Sequence, residues 1–80
     1  MNVKEAVVWR FREIMVERHI RPNELANLSG VTPSTVYSML DERRKEISIN
    51  VIKKLCDGLN LSLGEFFTSP VFSDLEQEIK

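Results

Sequence analysis

Thr32, Ser34, Thr35, Tyr37 and Ser38 place five hydroxyl groups within seven residues, with Pro33 among them. A hydroxyl both donates and accepts, so a row of them suits hydrogen bonding to a patterned polar surface. Nearby, Arg43-Arg44-Lys45 supplies three adjacent cations fitted to oxyanions. Covalent chemistry is not indicated. The single histidine, His19, has no cysteine or carboxylate cluster beside it, and the single cysteine, Cys56, falls on an apolar stripe. The chain has no nucleophile–base pairing, carboxylate dyad, metal-ligand spacing or glycine-rich phosphate loop. The expectation is a protein that is not an enzyme, needs no cofactor or metal, and has no small-molecule ligand.

Two short helices must position the hydroxyl row. Leu25, Ala26 and Leu28 form an apolar pattern that stops at Gly30, a residue able to adopt the left-handed conformation without a Cβ penalty. A second helix starts almost at once: Thr32 can cap it, and Pro33 falls at its first position, where a missing N–H costs nothing. Val36, Met39 and Leu40 repeat at helical spacing, leaving Ser34, Thr35, Tyr37, Ser38 and Asp41 facing outward. Two helices joined so tightly cross steeply, and the second can protrude into something as wide as a DNA major groove. The pair over residues 25–40 reads as a helix-turn-helix.

Eighty residues make one small domain, near the size at which a single core just suffices. One cysteine allows no intrachain disulfide, no apolar run approaches a membrane span, and the start of the chain lacks signal-peptide order. A cytoplasmic protein without a membrane partner is expected. Eleven basic against twelve acidic residues is not the basic balance typical of a nucleic-acid binder, but the distribution is uneven. Residues 1–64 carry ten basic and eight acidic groups; residues 65–80 carry one and four.

Asn2 and Glu5 match a capping box, and Ala6, Val7, Phe11, Ile14 and Met15 give a first helix ending near His19. Pro22 opens the second helix behind Arg21, an indifferent cap, so packing of Leu25, Ala26 and Leu28 must hold it. Ser48 caps a fourth helix with a stripe of Val51, Ile52, Leu55, Cys56 and Leu59 and a left-handed stop at Asn60. Ser62 caps a fifth, where Phe66 and Phe67 close the core. Past Pro70, Ser73 and Glu76 match another capping box and predict a short sixth helix over 74–79, with Val71, Phe72, Leu75 and Ile79 as apolar contacts. The division is a domain over 1–69 and a tail over 70–80, which either forms a dimer arm or caps the core. Trp9 likewise has two readings, covering Phe66, Phe67 and Phe72 or facing a second subunit.

Over residues 10–67 the order of segments resembles the lambda-repressor-like, Cro or XRE type of helix-turn-helix regulator. The resemblance rests on Arg12-Glu13-Ile14, Glu24-Leu25-Ala26, Leu28-Ser29-Gly30-Val31-Thr32, Ser34-Thr35-Val36, and Leu59-Asn60-Leu61-Ser62-Leu63 leading to Glu65-Phe66-Phe67. It implies an all-α, five-helix domain that binds double-stranded DNA as a homodimer, with the helix at about 33–41 in the major groove. Base readout then falls to Thr32, Pro33, Ser34, Thr35, Tyr37 and Ser38. Phosphate contacts fall to Arg21, Asn23, Arg43, Arg44 and Lys45.

Three departures from the family pattern matter. Relatives often pair an arginine at Met15 with a glutamate at Leu40; two apolar residues here predict a packed contact, since exchanging both members of a buried pair can be neutral. Pro22 and Pro33 stand where hydrogen-bonding side chains are frequent. The outer face of the third helix also lacks arginine, lysine, asparagine and glutamine, so direct readout is expected to be modest and affinity to depend on phosphates. The rival expectation is a protein-interaction module, such as an antitoxin or regulatory partner, with weak DNA binding. For Tyr37, contact with DNA and packing on the second helix stay open together. Arg43-Arg44-Lys45 has a bland alternative, a solvated loop paired with Asp41, Glu42 and Glu46.

Overall fold

The computed structural model describes residues 1–79. Five α-helices form in chain order: α1 over Val3–Arg18, α2 over Pro22–Ser29, α3 over Pro33–Leu40, α4 over Ile49–Gly58 and α5 over Leu63–Phe67. A 3₁₀ turn follows at Pro70–Ser73, and no strand occurs among the described residues.

Capping chemistry sets most of the boundaries. Asn2 accepts from the Glu5 amide at 2.8 Å while Glu5 accepts from the Asn2 amide at 2.9 Å, closing both halves of the predicted box. α1 stops at His19, which takes the left-handed conformation at φ 55°, a region where histidine is among the better-tolerated non-glycine residues. α2 has no side-chain cap from Arg21; Glu24 instead reaches back to the Arg21 amide at 3.1 Å. Gly30 at φ 67° ends α2, and Thr32 accepts from the Thr35 amide to start α3, with Pro33 in its first turn. Ser48 caps α4, and Asn60 at φ 59° turns the chain beyond it. Ser62 and Glu65 form a reciprocal box at α5.

The core is one cluster. Phe11, Leu25, Val36, Leu55, Leu59 and Phe66 are essentially inaccessible to solvent, and every helix contributes to it. α2 packs against both α3 and α4, so the helix that must hold α3 is itself fixed by α4. Met15 and Leu40 are both buried in this cluster and line one groove, the environment expected of an apolar replacement for an ion pair. Phe66 forms the centre of an aromatic group, with ring centroids 4.4 Å from Phe11, 5.0 Å from Phe67 and 5.9 Å from Phe72.

The structure corrects the sequence reading at Leu28 and over residues 74–79, and it bears on the two readings of Trp9. Leu28 is 56% exposed; the buried side of α2 runs through Leu25 and Ala26 to half-buried Ser29, leaving Leu28 at its edge. Residues 74–79 do not form a helix. Ser69 caps the 3₁₀ turn, Phe72 packs on the aromatic group, and the Glu76 amide then donates to the Met1 carbonyl at 3.2 Å. A six-residue segment carrying three carboxylates cannot offset helix nucleation without such packing, and Ile79 is 87% exposed. Trp9 makes no ring pair with Phe66, Phe67 or Phe72; it is 46% exposed and lines a groove with residues of the loop after α3.

Candidate nucleic-acid interface

α3 presents its hydroxyls as a connected set. Thr32 Oγ1 lies 3.0 Å from Ser34 Oγ and 3.1 Å from Thr35 Oγ1, so the three groups share hydrogens at the start of the helix. Thr32, Pro33, Ser34 and Tyr37 are exposed; Thr35 and Ser38 are half-buried. Tyr37, at 54% exposure, faces outward. Glu46 is the carboxylate that lines the groove beside Ser34, Thr35 and Ser38.

The loop between α3 and α4 is fixed from below by a residue with no role in the sequence reading. Lys4, in the first turn of α1, is only 4% exposed, and its Nζ donates to the carbonyls of Asp41 and Arg44, each at 3.1 Å. The Arg44 amide closes the same turn onto the Asp41 carbonyl at 3.1 Å. Burial pushes the Lys4 ammonium below its ordinary pKa, opposed by the Asp41 carboxylate. A signal for this residue exists in the sequence: position 4 lies three, four and seven residues before Val7, Val8 and Phe11, on the buried stripe of α1.

The cations sort into two groups. Arg10 is structural: its Nε donates to the Phe66 carbonyl at 2.8 Å, its Nη2 to the Glu65 carbonyl at 3.2 Å, and its Nη1 to Glu13 at 2.7 Å. Arg18 donates to the Leu59 carbonyl, and Lys53 pairs with Asp57. Arg43 is clasped by Asp41, with Nε and Nη2 at 3.1 and 3.0 Å from the two carboxylate oxygens. Hydrogen bonding from Arg43 holds Asp41 down at about 2. Because that value is depressed, the clasp is complete above the ordinary carboxylate range and should open only as pH falls through about 2, leaving it unchanged near neutrality.

Among the described residues, Arg12, Arg21, Arg44, Lys45 and Lys54 have no side-chain hydrogen bond or ion pair. Of the five cations and polar groups assigned from sequence to phosphates, the structure therefore leaves Arg21, Asn23, Arg44 and Lys45 exposed and engages Arg43 locally. Arg44 and Glu46 line a groove with Ser34, Thr35 and Ser38, which brings one cation without an ion pair, and one carboxylate, to the hydroxyl face. Arg21 and Asn23 sit apart from that groove, at the start of α2. Cys56 is wholly buried, and burial raises its thiol to about 11, so it packs as a small apolar group.

Comparison with known proteins identifies the family and the fold. The family model for the Cro/C1-type helix-turn-helix DNA-binding domain matches residues 10–70. The crystal structure of the prophage Lp1 protein 11 superposes with a TM-score of 0.79 at 30% sequence identity, covering 94% of this chain and 100% of that one. No curated protein sequence matches the chain.

Proposed function

The chain belongs to the Cro/C1-type helix-turn-helix DNA-binding family, and from that premise we propose a sequence-specific, non-enzymatic transcriptional regulator that reads double-stranded DNA in the cytoplasm. α3 enters the major groove, with Thr32, Pro33, Ser34, Thr35, Tyr37 and Ser38 against base edges. Arg21 and Asn23 at the start of α2, with Arg44 and Lys45 after α3, hold the backbone, and Arg43 joins them only when it is released from Asp41. The observation that carries the reading is the shared groove of Arg44 with Ser34, Thr35 and Ser38, which sets a phosphate-binding cation beside a base-reading surface.

Hydroxyls discriminate bases less sharply than bidentate side chains, so one copy has limited specificity. Two copies on a near-palindromic site, with half-sites about one helical turn apart, supply the missing selectivity. The proposed active form is a homodimer, to be checked by sedimentation with and without duplex.

The salt dependence of binding tests the reading. Each phosphate neutralised contributes about 0.9 to the slope of log K against log salt. Replacing Arg44 and Lys45 together by alanine should reduce that slope by about 1.8 and weaken binding on every sequence alike. Failure of the wild-type chain to bind random duplex at low salt would instead support the interaction module.

The Asp41 clasp gives an opposite prediction. Asp41→Asn removes the carboxylate that holds Arg43 and should tighten binding, raising the slope by up to about 0.9 as Arg43 becomes available. An Asp41→Asn protein with the wild-type slope would remove Arg43 from the phosphate contacts.

A further inference from the structure

Among the described residues, four of the five cations without a side-chain partner line grooves beside α1, and Arg12 lies in both of these grooves. One groove between α1 and the loop after α3 is lined by Arg12, Arg44 and Lys45, with Lys4 and Trp9 also in its wall. A second groove, across α1 toward the start of α2, is lined by Arg12 and Arg21 beside Met15 and Leu40. Arg44 continues from the first groove to the hydroxyl face of α3. The cations thus follow an order, Arg21, Arg12, then Lys45 and Arg44, that runs from the start of α2 past α1 to Arg44 beside the reader helix.

We infer that Arg12 on α1 is a DNA phosphate contact that joins the two assigned cation sites into one backbone track. The inference rests on the DNA-binding reading above and extends it to a helix to which that reading gives no role. Chemistry favours an oxyanion in the first groove. Four cations, Lys4, Arg12, Arg44 and Lys45, stand against two carboxylates, Glu5 and Glu42, and Lys4 has three N–H donors of which two go to carbonyls. The buried ammonium fixes the floor, while the exposed guanidinium of Arg12 can reach outward with its planar fork. Duplex DNA is the occupant because Arg44 ties this groove to the base-reading face: a strand held at Arg44 continues directly to Arg12.

Binding of the full chain to a random duplex, followed by fluorescence anisotropy across a salt series, provides the test. Arg12→Gln should lower the salt slope by about 0.9 and weaken binding to every duplex, whereas Arg12→Lys should keep the wild-type slope. Arg12→Gln with an unchanged slope, in a background where wild type binds, overturns the inference alone. Wild type that binds no duplex overturns the reading beneath it as well. Independently of the variants, the Arg12 Nε–H resonance of wild type should shift on adding duplex and stay in place with inorganic phosphate at equal phosphate concentration. An equal shift with inorganic phosphate would identify a free-anion site and overturn the DNA assignment.

Discussion

Lys4→Met is expected to lower the thermal midpoint by roughly 8–16 °C, the equivalent of about 2 kcal/mol in a domain of this size. Methionine preserves the unbranched stem and its packing but removes the ammonium that donates to the Asp41 and Arg44 carbonyls. Hydrogen bonds to a charged donor are worth about 1.5–3 kcal/mol each, and the cost of burying the ammonium, which also depresses its pKa, offsets part of the pair. The effect should extend to DNA. Arg44 lies inside the turn that Lys4 ties down, so loosening the turn weakens binding on all sequences. Hydrogen exchange separates this from general destabilisation: amides in the middle of α4 should lose only the protection that the global loss of stability accounts for, while the Arg44 amide, which donates to the Asp41 carbonyl, should lose more. Wild-type melting together with an unchanged Arg44 amide would remove Lys4 as the residue that positions this loop.

Elements governed by local chemistry were legible from sequence. Thr32, Ser48 and Ser62 each precede a helix at the capping position, and Gly30 and Asn60 each take the left-handed conformation anticipated for them. Such features depend on a few neighbouring atoms, so residue type and spacing suffice. Ser73 and Glu76 show the limit of that logic. Their spacing is right for a capping box, but Phe72 is drawn onto Phe66 and Phe67, and beyond it Leu75 is only half-buried and Ile79 exposed. Leu28 failed for a related reason: periodicity identifies a stripe, and only the packed neighbour decides which residues at its edge are covered.

The site divides along the same line. The exposed placement of Thr32, Ser34 and Tyr37 followed from the apolar spacing of Val36, Met39 and Leu40. Which cations would be available did not follow, because Arg10 and Arg18 find carbonyls more than forty residues away in sequence and Lys4 finds two in the loop after α3. Consecutive arginines also diverge: Arg43 turns back to Asp41, while Arg44 joins the hydroxyl face. A run of basic residues is therefore a pool from which folding withdraws some members, and the local charge balance alone does not say which.

Gly58→Ala tests how strictly the reader helix depends on a contact far from it. At the end of α4, an added Cβ would stand 2.2 Å from Ser29 Oγ, 2.8 Å from Ser29 Cα and 2.9 Å from the Leu28 carbonyl carbon. Alanine in a helix gains about 1 kcal/mol over glycine, whereas overpacking costs typically 1–3 kcal/mol and more when the obstacle is backbone. The clash should prevail, leaving a net loss of about 2 kcal/mol and a midpoint lower by roughly 8–16 °C. Ser29 offers an internal control. Its hydroxyl is buried without a partner, so Ser29→Ala alone should be neutral or slightly stabilising. The double variant should nevertheless stay near Gly58→Ala, because Ser29 Cα and the Leu28 carbonyl carbon remain in the way. Rescue by Ser29→Ala would show that only the hydroxyl demands glycine. Persistence of the loss would show that the α2 backbone itself lies against α4; since α2 also packs on α3, pushing α2 outward should then weaken DNA binding even though no residue of the reader helix has changed.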